Sequence, residues 1–123
     1  MSQIVLVEDD LFFSSKIENI LKNSEFDLKI LSKKTEALKY LRENPTGLVL
    51  INLASHGLNP LDLISEIKTN PELKTIPILG YCGHTRKELI VKARNLGCDK
   101  VVPNSVIVST LPKLLNQLFQ NKI

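Results

Sequence analysis

Short apolar runs alternate with amphipathic segments of helical period along the chain, and that alternation leaves few folds open. Ile4-Val5-Leu6-Val7 is bounded at once by Glu8, Asp9 and Asp10, the length and composition of a strand buried on both faces. Asp10 is a helix cap by residue type, and Leu11, Phe13, Ile17, Ile20 and Leu21 follow at helical spacing until Asn23 and Ser24. Leu28–Leu31 reads as a half-polar strand, and Ala37, Leu38, Tyr40 and Leu41 mark a helix that closes before Asn44-Pro45. Leu48–Ile51, the most continuous apolar run, is the expected central strand. A loop over Leu53–Asn59 leads from it to a helix with Leu61, Ile64 and Ile67.

The second half repeats the pattern. Ile76–Leu79 is the fourth strand, and Thr85-Arg86-Lys87-Glu88 has the form of a capping box. It opens a helix carrying Leu89, Ile90, Ala93 and Leu96 that stops at Gly97. Lys100–Val102 is the fifth strand. Thr110 is placed to cap the last helix, whose first turn tolerates Pro112 and whose apolar face is Leu111, Leu114, Leu115, Leu118 and Phe119. Five strands alternating with five helices imply an α/β fold with a doubly wound parallel sheet, because each right-handed crossover returns the chain to the same sheet. In such sheets ligands sit beyond the carboxyl ends of the strands. Those ends carry Glu8 and Asp9, Asn52, Cys82 and Gly83, and Asn104.

The 123 residues suit one domain, residues 1–123, with no linker, repeat or low-complexity tract. Sixteen Lys and Arg against 13 Asp and Glu are scattered without a basic block, so nucleic-acid binding is not expected. No apolar run nears the roughly 20 residues of a membrane span. Two cysteines and an N-terminus without a secretory pattern give a cytoplasmic expectation.

With these elements in order, the chain resembles the receiver domain of two-component response regulators over its whole length. The resemblance rests on several residues: Glu8-Asp9 ending the first strand, the strand that ends at position 52 with Leu53 and Gly57 after it, Ile76-Pro77, and Gly97-Cys98-Asp99 before the fifth strand. It implies a flavodoxin-like, CheY-like (βα)5 fold with strand order 2-1-3-4-5 and a role in signal transduction. It also implies chemistry that these residues do not supply. A receiver takes a phosphoryl group onto an Asp ending the third strand, with Mg²⁺ held by acids, a Ser or Thr ending the fourth strand and a Lys ending the fifth. The matching positions are Asn52, Cys82 and Asn104. The amide of Asn52 is neutral, with a delocalised nitrogen lone pair, so no acyl phosphate is expected. Asn104 lacks the charge that Lys offers a transferred phosphoryl group. The aromatic switch position within the fifth strand is Val101, and its coupled hydroxyl is replaced by Cys82. Asn104-Ser105 stands at the receiver Lys-Pro step, where a cis bond would cost about 3 kcal/mol, so trans is expected.

The expectation is therefore a non-enzymatic pseudo-receiver: a phosphorylation-independent adaptor acting through a protein partner. The alternative is a sensor whose degenerate pocket, built from Glu8, Asp9, Asn52, Cys82, Gly83 and Asn104, binds a small ligand or divalent metal. Losing a carboxylate at position 52 removes a like-charge repulsion of roughly 4 kcal/mol at 4 Å and an effective dielectric of 20, which favours the metal-free fold; no metal and no cofactor are expected. Glycine-rich phosphate-binding patterns are absent. Neighbouring carboxylates are expected to raise the Cys82 thiol, and Cys98, at the far end of the sheet, reads as a small buried residue. His56 and His84 read as solvated loop side chains. Val106, Ile107 and Val108 fall in an apolar loop outside the core pattern. With Arg86, Lys87 and Lys100 at the rim, they form a candidate partner surface on the face of the fourth helix, fifth strand and fifth helix. The same loop folding back onto the core is the competing expectation, and the sequence leaves the oligomeric state open.

Overall fold

A computed structural model of the chain describes residues 3–120. The elements run β1 (Gln3–Val7), α1 (Leu11–Leu21), β2 (Asp27–Leu31), α2 (Lys34–Glu43), β3 (Leu48–Asn52), α3 (Pro60–Thr69), β4 (Ile78–Cys82), α4 (Lys87–Asn95), β5 (Lys100–Pro103) and α5 (Asn104–Gln120). All strand pairs are parallel and the order is β2-β1-β3-β4-β5, as expected. Side chains alternate across each strand, so the sheet has two cores. Val5, Val7, Val49, Ile51, Ile78 and Val101 meet α2, α3 and α4 on one face. Ile4, Leu6, Leu48, Leu50, Leu79 and Tyr81 meet α1 and α5 on the other.

Local chemistry explains two of the helix ends. Asp10 Oδ1 accepts hydrogen bonds from the Phe12 and Phe13 amides at 2.9 and 3.3 Å and caps α1. Gly97 ends α4 in a left-handed conformation at φ 109°. Its amide donates to Arg94 O and the Cys98 amide to Ala93 O, the paired bonds of a Schellman motif.

Three local expectations are corrected. β4 begins at Ile78 rather than Ile76 and continues through Gly80 to Cys82, with Tyr81 inside it. Pro77 has no amide hydrogen to give a ladder, although its carbonyl accepts from Val49 N, and the Ile78 amide is held by Asp99 Oδ2 at 2.7 Å. Thr85–Glu88 does not form a capping box: α4 starts at Lys87, Arg86 stands at the cap with no side-chain bond, and Glu88 lies in the first turn, facing the positive end of the helix dipole. Finally, Val106–Val108 are not in a loop. Helix starts at Asn104 and kinks at Thr110 (φ −138°, ψ 19°), and the Thr110 hydroxyl donates back to Val106 O at 3.0 Å instead of capping forward. Among the described residues no peptide bond is cis, so Asn104-Ser105 is trans.

Candidate functional site

Strand parity builds the site. Glu8 is two residues beyond Leu6, Asn52 two beyond Leu50 and Tyr81 two beyond Leu79, so all three side chains emerge on the α1/α5 face. Register brings them level, since Asn52 pairs with Tyr81 and Glu8 lies one residue past the Val7–Ile51 pair.

The result is a closed polar knot at the carboxyl end of the sheet. Glu8 is 1% exposed. Asn52 Nδ2 donates to both its oxygens, at 3.0 and 2.9 Å, the Tyr81 hydroxyl donates to Oε1 at 2.5 Å, and the Asp10 amide donates to Oε2 at 3.1 Å. A buried carboxylate is tolerable only with such partners. The orientation of Asn52 is fixed from its other end, where Oδ1 accepts from the Ala54 amide at 2.9 Å. Turned over, the amide would set a carbonyl against a carboxylate and an NH₂ against an N–H. Phe13 of α1 packs on the Tyr81 ring with centroids 5.2 Å apart. The phenol of Tyr81 is held far above its ordinary range, first by burial and then by the Glu8 charge, with Asp10 and Asp9 adding to it.

The donor set does not suit the divalent cation that the resemblance to receivers implies. Both Glu8 oxygens face hydrogen-bond donors, and Asn52 turns its NH₂ rather than its carbonyl to the acid. Asp9 is exposed and lies against the β3–α3 loop: a side-chain carbon at Gly57 would come within 3.0 Å of Asp9 Oδ2. Both salt bridges among the described residues, Lys34–Glu66 and Lys68–Asp99, are remote from the knot in sequence and in element.

The other expected residues are not drawn into it. Cys82 is buried with the core on the opposite face of the sheet. Its thiol is raised, as expected, but the cause is burial, not neighbouring acids, and Arg86 partly offsets it. Gly83 is half-buried in the loop after β4, and Asn104 is exposed at the start of α5. Val101 is buried among the α2, α3 and α4 side chains. His56 and His84 are exposed, and Cys98 is buried, with its thiol pushed up to about 11 mainly by burial.

The expected partner surface is revised too. Ile107 is fully buried on the sheet, because it continues the Leu111, Leu114 and Leu115 stripe one turn earlier, and it cannot face a partner. Val106 is half-buried and Val108 is 40% exposed. Arg86 and Lys87 open onto the α3–α4 cleft beside Leu61 and Leu89, while Lys100 is exposed on the edge strand. Tyr81 is the member of the knot that the sequence reading missed.

Comparison with known proteins agrees with this fold. The model of the response regulator receiver domain matches residues 4–116. Chemotaxis protein CheY-3 of Vibrio cholerae is 23% identical over 119 residues, 96% of this chain and 92% of that protein. A putative response regulator NtrX-like protein of Rickettsia bellii is 29% identical over 96 residues, 76% of this chain but 20% of that protein. Among solved structures, a signal receiver domain of a histidine kinase from Syntrophus aciditrophicus superposes with a TM-score of 0.86 at 18% identity, covering 98% of this chain and 92% of that one. The Francisella response regulator 1452 receiver domain gives 0.86 at 15% identity, with both chains fully covered. With the family model spanning nearly all of its sheet and helices, this chain belongs to the response regulator receiver domain family.

Proposed function

We propose that this receiver domain signals without being phosphorylated, as a pseudo-receiver read by a protein partner in a single conformation. A role in signalling with protein partners follows from the family. The observation that carries the finer reading is the Asn52 amide donating to both oxygens of Glu8. An amide in that position offers no anionic oxygen to a phosphoryl donor. Its hydrogen bonds also satisfy the acid that would otherwise call for a metal. Asn104, exposed and neutral, provides no fixed positive charge for phosphate, and Val101 provides no aromatic ring to swing. Tyr81 and Asp10 complete the knot, so the loops after β1, β3 and β4 are tied in one arrangement.

The partner surface of this reading is the face of α4, the edge strand β5 and α5. Val91 at 55% and Val108 at 40% exposure supply apolar area on α4 and α5, and Lys100 is exposed on β5. Backbone amide NMR with Mg²⁺ and beryllofluoride, a phosphoryl mimic, tests the reading. The expected result is no saturable shift at Glu8, Asn52 and Ala54. Saturation at those amides with movement of the β4–α4 loop would return the chain to the phosphorylatable receivers.

A further inference from the structure

We propose that the face of α4, β5 and α5 takes an acidic amphipathic helix of the partner protein, its carboxylates meeting Arg94 and Lys100 and its apolar side chains meeting Val91 and Val108. This rests on the partner face of the reading above and adds the chemistry of what that face receives. The fold gathers a charge that the sequence spreads out. Residues 1–85 hold nine Lys and Arg against eleven Asp and Glu, whereas residues 86–120, which build α4, β5 and α5, hold six against two. All six cations are exposed, and none forms a salt bridge among the described residues. The two acids are turned elsewhere. Asp99 Oδ2 is taken by Lys68 Nζ at 2.9 Å and by the Ile78 amide at 2.7 Å, and Glu88 lines the α3–α4 cleft, which Val91 and Arg94 do not. The β5 edge of the molecule therefore carries a positive field with little counter-charge of its own.

Apolar side chains accompany the charge. Ala93 is buried and Leu89 and Ile90 are half-buried, which leaves Val91 and Arg94, three residues apart on α4, as neighbours on its outer side. Val108 is exposed on α5. A strand is a poor occupant, because β5 has four residues, ends in Pro103 without an amide hydrogen and carries an exposed Lys100. A helix that interleaves Leu or Val with Glu or Asp meets both kinds of side chain. Nucleic acid does not, since the one aromatic ring of these three elements, Phe119, is stacked on Phe26 and leaves none for the bases. Two copies joined through this face would set like charges against each other.

Titration with a synthetic helical peptide of Leu, Ala and Glu, its Leu residues spaced i, i+3, i+4 and i+7, tests the face by backbone amide NMR in EDTA without a phosphoryl donor. The controls are the same peptide with Lys for Glu and a DNA duplex. The Glu peptide is expected to saturate with shifts at Val91, Arg94, Lys100 and Val108, and to weaken as salt rises. R94E and K100E are each expected to weaken it about tenfold. Their melting temperatures should not change, because both side chains are exposed and outside the salt bridges of the described residues. Absence of saturation to millimolar peptide, equal binding of the Lys peptide, a duplex bound as tightly, or undiminished affinity in either variant would overturn the proposal. Binding that required Mg²⁺ and beryllofluoride would instead uphold the partner chemistry and overturn the phosphorylation-independent reading on which it rests.

Discussion

Replacing Asn52 with Asp, the residue a phosphorylatable receiver carries, should destabilise this protein rather than repair it. In the wild type, Asn52 Nδ2 stands 3.0 and 2.9 Å from the two Glu8 oxygens. In N52D an anionic oxygen takes that place. Two unit charges about 3 Å apart repel by roughly 5 kcal/mol at an effective dielectric of 20, and the lost charge-assisted hydrogen bonds were worth about 1.5–3 kcal/mol. The introduced carboxylate can lean toward the Ala54 amide and solvent, since position 52 is half-buried, so a net loss of about 4 kcal/mol is expected. With a urea m-value of about 2 kcal/mol/M, the denaturation midpoint should fall by roughly 2 M. Two controls isolate the charge. Millimolar Mg²⁺ should recover part of the loss in N52D and none in the wild type, and the loss should shrink as pH is lowered from 7, because proton uptake by the like-charged pair relieves the repulsion. An N52D protein as stable as the wild type in EDTA at pH 7 would refute the argument that the amide is there to satisfy Glu8.

The remaining predictions concern individual groups. Because folding raises the Tyr81 phenol above its ordinary value of 10.0, its contribution is complete below pH 10 and is lost as pH rises beyond it; denaturant melts at pH 8, 10 and 11 should show this loss, and Y81F should remove it. Cys98 adds an earlier loss between pH 9 and about 11, because the unfolded thiol releases its proton first, and C98A should flatten that part of the profile. G97A should cost about 1–2 kcal/mol in urea denaturation, since φ 109° is unfavourable for Ala and a new methyl carbon would lie 2.8 Å from Lys68 Cγ. I107D should unfold the domain by circular dichroism, whereas V108D should leave the melting temperature unchanged and weaken partner capture. Equal melting behaviour of the two variants would contradict the placement of α5.

Much of this was legible in the sequence because strand and helix periods differ. The apolar runs ending at Val7 and Ile51 fixed two central strands, and Asp10 and Gly97 marked helix ends by residue type. What stayed hidden has a physical pattern. Gly80 looked like a strand end, yet register with β3 carries β4 two residues further and puts Tyr81 opposite Asn52. Had the strand been extended, parity with Leu79 would have placed the phenol beside the acid. The apolar triplet before Thr110 looked like surplus loop because a Pro at position 112 suggests a first turn. Ile107, Leu111 and Leu114 nevertheless keep a helical stripe across the kink. Arg86 was assigned by its helix to one face, but the α3–α4 cleft lies on its other side.

Intact-mass measurement after incubation with acetyl phosphate and Mg²⁺ bears most directly on whether the domain is a phosphoacceptor. The wild type is expected to keep its unmodified mass through a time course in which a phosphorylatable receiver is labelled to a readily detected fraction. A labile gain of one phosphoryl group, removed by hydroxylamine and mapped to the β3 end, would contradict the account.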